Sequence, residues 1–146
     1  MRTHSRKRFT IIVYVYCILY ITIFSRIRRT TRIIHLLPFW SFSFSHWNQF
    51  LLNIALFIPL GYFLMSTFHR KYIVIILSFS TTFIVELAQF LTYRGMFDID
   101  DILSNFCGAA IGFLIQKLIG EKVWRDTVSA AMLAAGLIGC IIVSCT

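Results

Sequence analysis

The chain is dominated by long apolar stretches that alternate with short polar connections. A transmembrane α-helix needs about 20 consecutive, mostly apolar residues to cross the hydrocarbon core of a bilayer. Because lipid offers no partner for backbone polar groups, such stretches adopt helices. The pattern predicts an all-α, polytopic integral membrane protein, a single transmembrane domain over residues 1–146 with about five transmembrane helices. The stretches are residues 9–25, 50–68, 72–93, 102–119 and 127–145.

The composition excludes other classes of protein. Hydrophobic residues make up 58% of the chain and charged residues 14%, whereas an average soluble domain has roughly 45–50% and about 25%. Too few polar side chains remain to cover a small soluble domain, and disorder requires a far more polar chain. The net charge of +8 does not indicate nucleic-acid binding, because the basic residues lie in short runs between apolar stretches. The four cysteines have no zinc-ligand spacing, so we expect no metal and no cofactor.

The connection between the first two predicted helices is rich in aromatic residues. Residues 33–49 combine Pro38 and Trp47 with a run of alternating serine and phenylalanine. Tryptophan is enriched at the membrane–water interface, where its ring lies at the level of the lipid head groups. We therefore expect an interfacial aromatic segment rather than a spanning helix. His35 and His46 have no metal-ligand spacing and are interpreted as interfacial polar residues.

The distribution of basic residues predicts the orientation in the membrane. Nine lysines and arginines lie in the N-terminus, the 69–71 turn and residues 117–125, which share one side. Five lie on the opposite side, in residues 26–49 and 94–101. The more basic side of a membrane protein faces the cytoplasm. The pattern thus predicts a multi-pass protein of the cytoplasmic membrane with its N-terminus inside.

The third stretch carries an acidic residue, Glu86, well inside a predicted membrane helix. An ionisable side chain in the bilayer centre costs several kcal/mol, so such residues usually face the protein interior and serve a function. Ser78, Thr82, Glu86, Gln89 and Tyr93 follow one another at steps of 3 or 4 residues and share one stripe of the helix. We expect this stripe to face neighbouring helices and the aliphatic face to contact lipid.

The fourth stretch has a similar stripe. Asp98, Asp101, Asn105, Gly108 and Gly112 follow one another at steps of 3 or 4 residues. Asp98 is predicted to be the N-cap, with Asp101 at the third helical position in an arrangement resembling a capping box. Both acids also favour the positive end of the helix dipole. The two glycines form a small-xxx-small surface for close contact with another helix.

The second stretch adds Asn53 near its start, with Pro59 and Gly61 near its middle. Pro59 removes one backbone hydrogen bond and favours a kink. Asn53, Glu86 and Asn105 lie on the same side of their helix midpoints, which predicts one polar cluster facing outward. The predicted functional cluster comprises Asn53, Glu86, Gln89, Arg94, Asp98, Asp100, Asp101 and Asn105. The predicted packing residues are Pro59, Gly61, Gly108 and Gly112.

Several roles are open for this cluster. Its amides and Glu86 can bond to one another between helices, at about 0.6 kcal/mol per hydrogen bond on average, while the aspartates only cap a helix. The three aspartates of residues 98–101 can also bind a hard cation, but they lack the glycine and the distal glutamate of a calcium-binding loop. A serine or cysteine nucleophile lacks a placed histidine, and spacing alone does not establish an acid–base pair.

These blocks of polar residues and glycines resemble the VanZ-like family over about residues 36–115. They occur in order at compatible spacings, and the block Asp98-Ile99-Asp100-Asp101, followed by Asn105 and two glycines, is the most specific. The residues on either side of Asn105 depart from those that the family more often has, and the motif itself is intact. The matching blocks are Leu36-Leu37-Pro38-Phe39, Asn53 to Gly61, Val85 to Gln89, Arg94 to Asp101 and Asn105 to Gly112.

The resemblance implies a small polytopic membrane protein of bacteria. The founding member of the family is linked to low-level resistance to the glycopeptide teicoplanin. The first hypothesis is therefore a non-enzymatic envelope protein whose outward cluster binds a glycopeptide, a lipid head group or a cell-wall precursor. A rival hypothesis is a membrane-embedded enzyme or transporter for a lipid-linked substrate, with Glu86 as base or proton carrier. A third is a structural partner of other membrane proteins or of a second copy, through the stripe Ala131, Ala135 and Gly139.

Overall fold

The computed structural model describes residues 2–24, 30–31, 33–39 and 43–120. Within these residues the chain forms four helices and two very short strands, which confirms the predicted all-α class. The fifth predicted helix and its packing stripe lie outside the described residues, as do the four arginines of the first connection. The helices are α1 (Arg2–Phe24), α2 (Phe44–Phe68), α3 (Lys71–Leu91) and α4 (Ile99–Ile119), and the strands are β1 (Ile34–His35) and β2 (Phe97–Asp98).

Three of the described helices are long and apolar enough to cross a membrane, namely most of α2, all of α3 and all of α4. The two faces of α3 differ as the spacing predicts. Its buried residues include Ser78, Thr82, Glu86 and Gln89, while its exposed face is aliphatic and aromatic. Because apolar side chains are stable against lipid, this exposed face suits a bilayer. The exposed residues are Ile75, Ile76, Phe79, Phe83, Ile84, Leu87 and Leu91.

The start of α2 lies earlier than the sequence predicts. The helix begins at Phe44, six residues before the predicted start at residue 50, so residues 44–49 are helical rather than a separate connection. Ser43 is the N-cap, and its hydroxyl accepts a hydrogen bond from the His46 backbone N–H at 3.3 Å. A serine at this position satisfies a backbone donor that the first helical turn leaves open. One of the alternating serines, Ser43, is therefore the cap at which α2 starts.

The closest helix contact joins α2 and α4 through glycines. A Cβ atom on Gly61, Gly108 or Gly112 would overlap a backbone carbonyl of the opposite helix. Because the side chain of glycine is a single hydrogen atom, the two backbones can meet at these positions, as in other small-xxx-small helix contacts. The carbonyls that block these positions belong to Ala109, Ile54 and Ile58, respectively.

The contact of α1 with α2 lies close to Pro59, the residue at which the sequence predicts a kink in α2. Pro59 is buried within α2 and cannot donate the usual hydrogen bond to the carbonyl of Ala55. One residue further on, the carbonyl of Leu56 accepts a hydrogen bond from the Tyr14 hydroxyl of α1 at 2.9 Å. The Tyr14 ring also packs edge-on against Phe63. Thus α1 is attached to α2 by both a hydrogen bond and aromatic packing, next to the proline.

Residues 33–39 form a segment that we call the strap. Its strand β1 pairs in parallel with β2, so that Ile34 lies beside Phe97 and His35 beside Asp98. Phe97 N–H also donates to the Ile33 carbonyl at 3.1 Å. The strap is therefore fixed by its backbone to the segment that leads directly into α4.

Candidate functional site

One end of the helices gathers the predicted polar residues. It contains the first turns of α2, the end of α3 and the start of α4, and the strap is attached to it through β2. Arg94 is half-buried, and the other members of the predicted cluster are buried, each with at most 8% of its surface exposed. The buried members are Asn53, Glu86, Gln89, Asp98, Asp100, Asp101 and Asn105.

Asp98 and Asp101 have different partners at the start of α4. Asp98 is the N-cap, as predicted, and its carboxylate accepts a hydrogen bond from the Asp100 backbone N–H at 2.9 Å. The carboxylate of Asp101 accepts a hydrogen bond from the Asn53 amide of α2 at 2.7 Å. Asp101, which lies in the first turn of α4, therefore connects α4 to α2.

Asp100 holds the strap. Both of its carboxylate oxygens lie 2.9 Å from the backbone nitrogen of Phe39, which donates the hydrogen bond. Phe39 has a φ of 55°, a left-handed conformation that is uncommon for a bulky residue. The carboxylate compensates by binding the N–H that this conformation presents. Asp100 is only 1% exposed, and the strap covers this acid.

His46 is a member of the site that sequence reasoning missed. Its Nε2 atom lies 3.1 Å from Asp100 Oδ2, within hydrogen-bond distance. The interpretation of His46 as an interfacial polar residue did not include this partner. Fifty-four positions separate the two residues, and no short motif links residues so far apart. The signal in the sequence that could have indicated this contact is the run of serines and aromatic residues, because Ser43 caps a helix that starts at Phe44. A helix that starts there places His46 beside the start of α4.

Four oxygens of the site lack hydrogen-bond partners among the described residues. Gln89 Oε1 and Asn105 Oδ1 are buried, as are the hydroxyls of Ser78 and Thr82. Along the helix axis, at 1.5 Å per residue, Gln89 lies about 3 Å from the end of α3 and Asp101 about 3 Å from the start of α4. Glu86 lies about 8 Å inside α3, and Asn105 lies about 9 Å inside α4. The site is thus a series of hydrogen-bond acceptors on α3 and α4 that extends from one end of these helices into their apolar interior.

Arg94 is the one arginine or lysine that the structure describes at this end. Its Nη1 atom donates to the carbonyl of Ile23 in α1 at 3.4 Å, and its backbone N–H donates to the carbonyl of Gln89. Arg94 therefore joins the end of α1 to the end of α3. Against this single described cation, the site contains four carboxylates, those of Glu86, Asp98, Asp100 and Asp101.

The described residues include no group of three or more histidine, cysteine, aspartate or glutamate side chains arranged to hold a metal ion. The aspartates of residues 98–101 bind backbone N–H groups, an amide and an imidazole instead. Chemically, the arrangement can accept hydrogen bonds and attract positive charge.

Comparison with known proteins assigns the chain to a family. The family model described as VanZ/LLP1 matches residues 11–120. The chain belongs to the VanZ/LLP1 family. The VanZ/LLP1 match covers most of α1 and all of α2, α3 and α4, and so begins well before the predicted start near residue 36. No curated protein and no solved structure matches the chain. Membership in the VanZ/LLP1 family and three apolar helices together fit a membrane protein.

Proposed function

We propose that the chain is a non-enzymatic, multi-pass protein of the bacterial cytoplasmic membrane that binds a polar group of a cell-envelope molecule. The observation that carries this proposal is the pair of buried amide oxygens, Gln89 Oε1 and Asn105 Oδ1, which have no donor among the described residues. A buried acceptor without a donor costs about 1–3 kcal/mol. A ligand that supplies donors would recover this cost.

In this proposal the protein has five transmembrane helices, with α1 first and residues 127–145 last, and its N-terminus lies inside. The apolar residues 9–24 of α1 extend about 24 Å, somewhat less than a hydrocarbon core of about 30 Å. The basic side chains that precede them can reach the membrane surface and make up the difference. The basic turn at residues 69–71 then faces the cytoplasm, and the acidic end faces outward. Phe39, Trp47 and Phe50, whose rings pack together, keep this end at the membrane–water interface.

The proposed ligands are a glycopeptide such as teicoplanin, a lipid head group or a cell-wall precursor. All three present polar groups at the outer face of the membrane, where the acidic end lies in this topology. The link of the founding family member to teicoplanin makes glycopeptide resistance the first phenotype to measure.

The test is glycopeptide susceptibility of cells that carry single variants at equal abundance in the membrane. Glu86→Gln, Asp101→Asn and Asn105→Ala each change one acceptor of the site, and we expect each to shift susceptibility toward that of a deletion strain. Gln116→Ala is the matched control, because Gln116 is also buried in α4 but lies about 25 Å from the start of the helix. If the three variants behave like the parent while the deletion strain differs, the polar cluster only holds the helices together.

A second function is favoured by the contact between His46 and Asp100. A buried aspartate that orients a histidine is a recurring arrangement for general-base catalysis, and the His46 side chain is 14% exposed. In this reading the protein is a membrane-embedded enzyme for a lipid-linked substrate. Turnover of such a substrate by the purified parent, lost in His46→Ala and in Asp100→Asn, would establish it. Stoichiometric binding of the substrate without turnover would contradict the enzymatic function and support the binding function.

A further inference from the structure

The outer face of α1 carries a line of exposed side chains that includes two tyrosines. Ile12, Tyr16 and Tyr20 follow one another at steps of four residues, and 67%, 66% and 54% of their surfaces are exposed. At this spacing they share one face of the helix, which we call the tyrosine stripe. The rings of Tyr16 and Tyr20 stack with their centroids 6.4 Å apart. The stripe is therefore an ordered aromatic surface before any partner meets it.

Tyr16 lies in the middle of the apolar part of α1. Along the helix axis it is about 10 Å from residue 9 and about 12 Å from residue 24. Tyrosines of membrane helices are enriched at the membrane–water interface, and Tyr72 follows this rule. It lies in the first turn of α3, and its hydroxyl accepts a hydrogen bond from Arg70 Nη1 at 2.8 Å. The Tyr16 hydroxyl lies far from the interface and has no hydrogen-bond partner among the described residues.

Lipid alone does not suit this hydroxyl. Acyl chains offer no hydrogen bond, and a hydroxyl moved from water into hydrocarbon without a partner is strongly disfavoured. The large exposed side chains of α4 are, in contrast, leucines and isoleucines, which are stable against lipid. The tyrosine stripe thus calls for a protein partner with a hydrogen-bonding group near the middle of the bilayer.

The last predicted helix, residues 127–145, does not supply such a group from its side chains. If it crosses the membrane in the same direction as α1, the depth of Tyr16 corresponds to about residue 134. The sequence around this position, residues 130–139, is Ala-Ala-Met-Leu-Ala-Ala-Gly-Leu-Ile-Gly. None of these side chains has a hydroxyl, amide or charged group, so this segment leaves the Tyr16 hydroxyl unsatisfied.

A second copy of the chain supplies the missing group by symmetry. Two copies inserted in the same direction can be related by a two-fold axis along the membrane normal, so identical residues meet at the same depth. A phenol hydroxyl both donates and accepts a hydrogen bond, and it can therefore pair with its own copy. Aromatic side chains are also enriched at protein interfaces.

We propose that two copies of this chain associate through the tyrosine stripe, with the Tyr16 hydroxyl of one copy bonded to that of the other. This inference goes beyond the proposed binding function. It uses only the part of the proposed topology in which α1 spans the membrane, and it holds for either orientation of the chain.

Cross-linking of the full chain in native membranes tests which face meets a second copy. Ile12→Cys places a thiol on the stripe and leaves Tyr16 intact, in a chain whose four natural cysteines are replaced by serine. The matched control keeps Cys107 as its one cysteine, because Cys107 is exposed on α4. We expect mild oxidation to join the Ile12→Cys chains into dimers at least about tenfold faster than the control, since an interface holds two thiols at a high effective concentration.

Tyr16→Phe tests the hydroxyl itself, because the variant keeps the ring. Association is measured by energy transfer between copies labelled at the N-terminus, in vesicles with varied ratios of protein to lipid. We expect the association constant to fall about threefold, the effect of one average hydrogen bond between membrane helices. Tyr72→Phe is the control and should leave association unchanged, since Tyr72 lies at the end of α3.

Two results would overturn the proposal: cross-linking no faster than in the Cys107 control, or equal association of Tyr16→Phe and the parent. A membrane-soluble maleimide then shows what covers the stripe in a monomeric Ile12→Cys chain. Modification of the thiol indicates lipid, protection indicates another segment of the same chain, and both contradict a second copy.

This inference and the binding function fail in distinguishable ways. Glycopeptide susceptibility of the cluster variants decides the binding function, whereas association of the stripe variants decides the contact between copies. Tyr16 is not a member of the polar cluster, so either proposal can fail while the other stands.

Discussion

The hydrogen bond from Asn53 to Asp101 shows how single residues hold this end of the molecule together. The amide lies in α2 and the carboxylate in α4, and both side chains are buried. A bond of this kind is charge-assisted and therefore stronger than a bond between neutral groups. If it is lost, the carboxylate is left in an apolar environment without its donor, which costs more than the bond itself contributes.

Asn53→Ala is expected to lower the free energy of unfolding by about 1.5–3 kcal/mol, because Asp101 loses a donor in a buried position. The measurement is a denaturant titration of the purified protein in detergent, followed by the loss of helical signal. Asn48→Ala is the control, since Asn48 is an exposed asparagine of the same helix and should change stability by less than about 0.5 kcal/mol. Equal effects of the two variants would contradict a structural role for this bond.

At the scale of elements, the strap contacts both α4 and α2. Its contacts include two paired residues, the hydrogen bond of Phe97 to Ile33, the bond of Phe39 to Asp100 and the packing of the Phe39 ring against Trp47 and Phe50. Asp100 binds both the strap and α2, since Phe39 belongs to the strap and His46 to α2. This carboxylate therefore joins the strap to two helices at once.

Asp100→Ala is expected to loosen the strap without unfolding the helices. Loss of a hydrogen bond to a charged acceptor should raise the exchange rate of the Phe39 amide with solvent about tenfold or more. The measurement is hydrogen–deuterium exchange with detection of peptides that cover residues 33–39. Thr92→Val is the control at the same end, because the Thr92 hydroxyl donates to carbonyls of its own helix. Unchanged exchange in Asp100→Ala would show that the strap is fixed without this carboxylate, by contacts such as the strand pairing and the packing of Phe39 against α2.

Gly112→Ala is expected to separate α2 from α4. The added Cβ would overlap the carbonyl of Ile58, and overpacking of this kind typically costs about 1–3 kcal/mol. A thermal melt in detergent measures the effect. Ala110→Leu is the control, since Ala110 lies on the exposed face of the same helix and a larger apolar side chain there meets only lipid or detergent. A melting temperature that falls equally in both variants would speak against the glycine contact.

The elements differ in how far the sequence predicts them. Apolar length and polar stripes predict α3 and α4 to within a few residues, because burial against lipid and against neighbouring helices acts along the whole helix. The start of α2 and the strap were not predicted, since they depend on a single cap at Ser43 and on pairing with β2. Likewise, the stripes predict that Glu86 and Asn105 face the interior, whereas the partnership of His46 with Asp100 arises from the fold alone.

At the scale of the whole molecule, orientation decides what the acidic end can meet. The excess of lysine and arginine around residues 69–71 and at the N-terminus predicts that these parts lie in the cytoplasm. In that predicted orientation, the acidic end, at the opposite ends of α2, α3 and α4, faces the outside.

A reporter inserted after Lys71 should therefore be active as a cytoplasmic reporter, and one inserted after Gly95 as an external reporter. Paired fusions of an enzyme that folds only in the cytoplasm and one that folds only outside give the readout. The reverse pattern would turn the acidic end toward the cytoplasm and remove glycopeptides and wall precursors from the set of ligands. Fusions at two different positions in each connection separate orientation from damage by the insertion.

Because β1 precedes α2 and β2 follows α3, the ribosome synthesises the strap long before its partner strand. When α3 has been completed, the strap still lacks both β2 and the carboxylate of Asp100. Water at the membrane surface can satisfy its backbone groups in the meantime. The strap therefore reaches its final contacts only after the first turn of α4, which carries Asp100, has been synthesised.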